Sequence, residues 1–217
     1  MRWTCPPTTS TMKIEKIQPS AHKQGRILVF LQDGSLLKIT EEELLRFGLR
    51  PGDQLDEETL EQLKASAAGS DAKAQAAALV GRRAMSRADL EKKLRDKGAS
   101  AADARYAAEW LEAIGAINDA DYAALLVRHC ADLGYGPARY REELRKHGVA
   151  RELWEEAMDQ APDPALLAEA YLRDRFRKGP PDEQERRRAA AALARRGFSW
   201  GDAKAALSAW GTALPED

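Results

Sequence analysis

A chain of 217 residues, 44% of them hydrophobic, is long enough for one domain or two small ones and apolar enough to build a core, which excludes an intrinsically disordered protein. Its 34 lysines and arginines stand against 35 acidic residues, so no overall field holds nucleic acid or an anionic membrane, and any DNA contact must come from a local patch. The two cysteines, Cys5 and Cys130, have neither metal-ligand spacing nor the pattern of a disulfide framework, so a reduced cytoplasmic setting without metal or cofactor is expected.

Residues 1–11 lack the apolar segment of a signal peptide and read as a flexible tail, with Met12 the natural start of the folded part. No run approaches the ~20 apolar residues of a membrane span. Lys13 to Ile17 alternates, Arg26 to Leu31 is a β-branched and aromatic run, and Asp33-Gly34 precedes a third short strand at Leu36 to Ile39. Together they predict a small antiparallel meander. Thr40 with Glu43 forms a capping box for a helix over 41–47, Pro51-Gly52 makes a turn, and Asp56 caps a second helix to about Lys64. Residues 65–70, rich in Ala, Ser and Gly, are expected to be a hinge.

Alanine, leucine, glutamate, lysine and arginine dominate from there on, and these residues enter a helix at least cost. Nine helices are predicted: 71–82, 86–97 and 100–114; 119–133, 137–147 and 150–159; 164–177, 182–196 and 199–210. Ser86, Ser100, Asp119, Asp163 and Ser199 are placed as N-caps, and Pro137 and Pro164 suit first-turn positions. The helices fall into three triplets, and the middle helix of each closes on one motif: leucine, two residues, a basic side chain and glycine. The motif spans Leu94 to Gly98, Leu144 to Gly148 and Leu193 to Gly197, with its leucines 50 and 49 residues apart. A period of that size in helix-forming sequence marks tandem multi-helix units. The expected fold is therefore mainly α, with three tandem three-helix repeats (69–115, 116–160 and 161–212) forming an elongated body. A β-containing module (12–68) precedes them and a tail (213–217) follows.

Enzymatic constellations are absent. His22, His129 and His147 are scattered, and the chain has no nucleophile elbow, phosphate loop or dinucleotide fingerprint. His147 takes the last-turn place held by Lys97 and Arg196 in the other repeats, where a cation meets the helix C-terminus favourably. Trp110, Trp154, Trp200 and Trp210 sit in apolar helical patterns and are expected in the core.

Basic residues gather on the middle helices: Arg87, Lys92, Lys93, Arg95 and Lys97 on the first; Arg139, Arg141, Arg145 and Lys146 on the second; Arg186, Arg187, Arg188, Arg195 and Arg196 on the third. On a helical wheel Lys92, Arg95, Arg145, Lys146, Arg188 and Arg195 point away from the apolar face formed by Leu90 with Leu94, Tyr140 with Leu144, and Ala189 with Leu193. They are free to meet phosphates or an acidic protein surface. The plain alternative is a charged solvent face, and the interleaved Glu91, Glu142 and Glu143 lower the local potential. A helix-turn-helix reading is disfavoured, because Ala101 to Arg105 is mostly short and Arg151 to Glu156 largely acidic where base-reading side chains would be needed.

These residues resemble the RecX regulatory proteins, bacterial modulators of the RecA recombinase. Asp89 to Gly98 is similar to that family's first-repeat basic helix and Trp110 to Ala123 to its junction between the first and second repeats. Gly136-Pro137 followed by Arg141 to Gly148 resembles the second-repeat motif and Arg195 to Phe198 the third; the likeness covers about 70–212. In the third repeat Ala194 stands where Arg95 and Arg145 stand in the others. The resemblance implies three-helix repeats, no catalytic activity, and binding to RecA and its DNA filament along the filament groove. It also implies restraint of recombinase, ATPase and co-protease activity in recombination, DNA repair and the SOS response. Weak direct binding to single- or double-stranded DNA and a monomeric state accompany it as expectations. The reading of a different class is a non-specific nucleic-acid-binding helical adaptor that acts without RecA.

Overall fold

A computed structural model describes residues 11–175 and 182–212, so the expected tails, apart from Thr11, and the expected end of the helix at 177 lie outside the described residues. The chain divides into two compact units, one running to Gly81 and taking in Glu91–Ala113, the other made of Arg82–Leu90 and the chain from Ile114 onward.

In the first unit four antiparallel strands, β1 (Met12–Pro19), β2 (Arg26–Leu31), β3 (Leu36–Thr40) and β4 (Gln54–Leu55), lie in the order β3-β2-β1-β4. The first three are the expected meander. The two-residue β4, too short to show a period, joins the free edge at Met12 and Lys13. The register pairs Ile17 with Val29, Val29 with Leu37, and Ile27 with Ile39, which gathers the branched side chains on one face. That face closes over Leu55, Leu60 and Leu63, and Ile14, Val29, Ile39 and Leu63 are fully buried.

Helix α1 (Glu41–Arg46) opens on the predicted capping box, with Glu43 N–H donating to Thr40 Oγ1 at 3.1 Å and Thr40 N–H to Glu43 Oε2 at 2.8 Å. Helix α2 (Glu57–Val80) starts from Asp56 and runs without a break through the expected hinge at 65–70. Half of the segment is alanine, and Gly69, the residue that weakens it, lies against α4 (Ala101–Ala113), where a Cβ would meet the Tyr106 ring at 3.6 Å. Packing outweighs the ~1 kcal/mol that glycine costs inside a helix. Two polar seams fasten α2 to the module. Buried Arg26 pairs with Asp71, and buried Glu43 accepts from the hydroxyls of Ser66 and Ser70, both at 2.6 Å.

Helix α3 (Arg87–Asp96) contributes its first turn to the second unit. There follow α5 (Asp119–Asp132), α6 (Pro137–Lys146), a 3-10 turn at Arg151–Leu153 leading into α7 (Trp154–Asp159), then α8 (Pro164–Arg175), α9 (Glu183–Arg195) and α10 (Trp200–Thr212). The helical content and the three-helix organisation agree with the sequence. Tyr122, Val127, Tyr140, Leu144 and Val149 form one core cluster; Leu172, Ala189, Leu193, Phe198 and Trp210 form the next.

Three details differ from expectation. Asn118, not Asp119, caps α5, accepting from the amides of Ala120 and Asp121. Trp110 is only partly buried, Trp154 is partly buried against the core cluster of its repeat, and Trp200, in the first turn of α10, is 74% exposed. No helix of the described residues is long and apolar enough to cross a membrane.

Candidate partner-binding faces

The motif leucines explain how the basic side chains are presented. Leu94, Leu144 and Leu193 are fully buried, as are Leu90 and Ala189, with Tyr140 1% exposed; the residue after each leucine is therefore turned to solvent. Each middle helix is then stopped by a glycine in the left-handed region, Gly98 at φ +97°, Gly148 at +66° and Gly197 at +88°.

Of the fourteen basic positions singled out by sequence, Lys92, Arg95, Lys97, Arg141, Arg145, Lys146, Arg186, Arg187, Arg188 and Arg195 are exposed, while Arg87, Lys93, Arg139 and Arg196 are partly buried. Several are tied to their own helix. Arg139 reaches Glu142 at 2.6 Å and Glu143 at 3.1 Å, Lys146 reaches Glu143 at 3.0 Å, and Arg187 reaches Glu183 at 3.1 Å. The hydrogen bond from Lys146 holds the Glu143 carboxyl below its ordinary value, and Glu142 holds the Arg139 guanidinium above its own. Arg95 and Arg145, each next after the motif leucine, and Arg188 make no ion pair among the described residues and leave their charge available to a partner.

The basic residue of the last turn has a different task, which the sequence did not disclose. His147 Nδ1 lies 2.6 Å from Asp89 Oδ2 and 3.3 Å from the Tyr122 hydroxyl, and the Tyr122 ring meets the imidazole edge-on at 5.8 Å. The His147 carbonyl accepts from Ser86 Oγ. One repeat later the pattern returns. The Arg196 carbonyl accepts from Gly136 N–H at 2.9 Å, and its guanidinium donates to the carbonyls of Leu133 and Gly134 at 2.8 and 3.1 Å and lies 4.3 Å above the Tyr171 ring.

In both places the closing turn of one middle helix is seated on the opening turn of the middle helix before it. A Cβ on Gly148 would come within 2.6 Å of Ala88 Cβ, and one on Gly136 within 2.6 Å of the Gly197 carbonyl and Phe198 amide. Small residues at Ala88 and Gly136 are the trace of this joint in the sequence. Asp119, expected as a cap of its own helix, accepts instead from Arg87 N–H at 2.8 Å, adding a second tie at the start of α3.

Comparison with known proteins places this arrangement. Residues 118–158 match the model of the second three-helix domain of RecX and residues 167–207 that of the third. The regulatory protein RecX of Halorhodospira halophila is 33% identical over 151 residues, which cover 67% of this chain and 92% of that protein. That of Pseudomonas entomophila is 36% identical over 126 residues, 56% of this chain and 79% of that one. A crystal structure of regulatory protein RecX superposes with a TM-score of 0.68 at 25% identity, covering 89% of this chain and 97% of that chain. RecX from Lactobacillus salivarius, at 19% identity and a TM-score of 0.60, covers 67% of this chain and 98% of its own and shares the fold.

Proposed function

This chain belongs to the RecX family of regulatory proteins, and from that premise we propose that it binds the RecA recombinase and its nucleoprotein filament and restrains their activity. The names of its relatives describe regulators, in keeping with a protein that acts by binding and not by catalysis. The observation that carries the reading is the recurrence of uncommitted, exposed cations at matching places, Arg95 and Arg145 one residue beyond the buried leucine, with Arg188 on the third middle helix. Several weak contacts carried by one chain multiply their effects, which suits a partner that is itself a repeating polymer. The filament groove is the surface we assign to these faces.

The adaptor reading is less well supported. Arg139, Lys146 and Arg187 are paired with glutamates of their own helices, and a chain with a formal charge of −1 has no overall field that draws it to naked DNA. The deciding experiment titrates the chain into RecA assembled on single-stranded DNA while ATP hydrolysis and strand exchange are followed, with DNA binding measured in parallel without RecA. Suppression at concentrations well below those that saturate naked DNA is expected. Salt-sensitive binding to DNA with no effect on RecA would transfer the assignment to the adaptor.

A further inference from the structure

The N-terminal sheet has two faces, and only one of them is used by the core. Alternation along β2 places Ile27, Val29 and Leu31 inward, so Leu28 and Phe30 face the other way, and the cross-strand register completes that outer face. Phe30 stands opposite Lys16 on β1 and Leu36 on β3; Leu28 stands opposite Gln18 and Lys38. Phe30 and Leu28 are partly exposed, Leu36 is 40% exposed, and both lysines are exposed with no ion pair among the described residues. The strands β1, β2 and β3 carry a single carboxylate, Glu15, against Lys13, Lys16 and Lys38, with Arg26 buried and its charge met by Asp71. A chain that is almost neutral as a whole has thus set apart an aromatic-centred sheet face with unpaired positive charge.

We propose that this outer face is a binding platform for single-stranded nucleic acid, with Phe30 the stacking surface and Lys16 and Lys38 the contacts to the flanking phosphates. Directly opposite and diagonal side chains on neighbouring strands are roughly 5 and 7–8 Å apart, so the two ammonium groups reach either side of a base lying on the ring. Stacking on one partly exposed ring tolerates any base, so the binding is not sequence-specific. An apolar protein surface would suit Leu28, Leu36 and Phe30 but would leave the unpaired lysines uncompensated unless it were also acidic. Nucleic acid supplies a π-face and negative charge at once. The platform is built from other residues than the basic helical faces, so its failure leaves the filament reading standing.

The test uses the full chain and fluorescent oligothymidylate, followed by anisotropy across a salt series. The double variant Lys16→Glu/Lys38→Glu should bind at least tenfold more weakly and show a shallower salt dependence, the melting temperature confirming the fold. Phe30→Leu should weaken binding about fivefold or more, and Phe30→Trp, which keeps a ring, should retain it. Amide resonances of β1–β3 in the isotopically labelled parent should shift as oligothymidylate is added. Unchanged affinity in the lysine variant overturns the proposal. So does a loss in the lysine variant with none in Phe30→Leu, which would reduce the face to unspecific charge. Intact oligothymidylate binding with impaired attachment to the RecA filament would make the face a protein-docking surface and equally overturn it.

Discussion

Glu43 shows how a single buried carboxylate is kept ionised. Burial opposes its charge, yet the hydroxyls of Ser66 and Ser70 and the amide of Thr40 donate to it, and together they hold the carboxyl below its ordinary value of 4.5. A depressed native value stabilises the fold above the unfolded value, and that contribution is lost as pH falls through the native one. Glu43→Gln should therefore melt below the parent at neutral pH, with the gap closing in acid. A gap of constant size from pH 7 to pH 3 would contradict the ionised network. Tyr140 presents the opposite case. Its hydroxyl is buried without a hydrogen-bond partner among the described residues, and burial pushes its pKa up to about 12. Removing an unsatisfied polar atom carries little penalty, so Tyr140→Phe should match the parent's stability within about 0.5 kcal/mol or exceed it. Thermal melts of the two proteins suffice, and a large loss would mean that the hydroxyl is satisfied after all.

At the scale of the element, the recurring unit is a helix end and the helix start that receives it. Gly98, Gly148 and Gly197 occupy the same motif position and all adopt positive φ, yet their surroundings differ. An added Cβ meets nothing within 4 Å at Gly98, whereas at Gly148 it strikes Ala88 Cβ at 2.6 Å. Alanine at either site incurs the left-handed penalty of roughly 1–2 kcal/mol, but only Gly148→Ala should also strain a joint, adding about 1–3 kcal/mol. Ala88→Gly should recover part of that extra loss when combined with Gly148→Ala and do nothing for Gly98→Ala, a double-mutant cycle read by denaturant unfolding. Additive losses would mean that Ala88 and Gly148 do not bear on one another.

The same comparison shows what the sequence disclosed. Helix bounds and most caps were legible because Ser86, Ser100, Asp163 and Ser199 act on their own helices, as local signals do. Asp119 and His147 act on residues 32 and 58 positions away, and nothing in a local pattern distinguishes a carboxylate that caps its own helix from one that caps another. The hinge at 65–70 failed for a related reason: the signal at Gly69 was real, but the ring that fills the space beside it belongs to α4. Trp200 was misjudged because the first turn of a helix carries apolar residues whose partners only the tertiary packing decides.

For the molecule as a whole, what a partner can bind is set by where charge is left uncommitted. Net charge is almost balanced and many of the basic groups on the middle helices have acidic neighbours, so the field at long range is weak and attraction must act at contact. Arg95, Arg145 and Arg188 meet that requirement, since their helices hold them by buried residues and not by partners of their own. An exposed charge pair contributes up to about 1 kcal/mol, so reversing any one of the three should weaken attachment to the RecA–DNA filament only severalfold. Reversing all three to glutamate multiplies these losses, and an overall decline of about thirtyfold or more is expected with melting temperature unchanged. Salt separates the mechanism from simple DNA binding. If protein contacts anchor the complex, raising ionic strength from 50 to 200 mM should weaken filament attachment less than it weakens binding to bare single-stranded DNA, whose affinity falls by about 0.7 logarithmic units per phosphate neutralised for each tenfold rise in salt. Equal slopes on filament and bare DNA would reduce the attachment to phosphate binding, whereas a triple variant that still restrains ATP hydrolysis at parent concentrations would remove these three arginines from the binding surfaces and direct attention to the rest of the repeats.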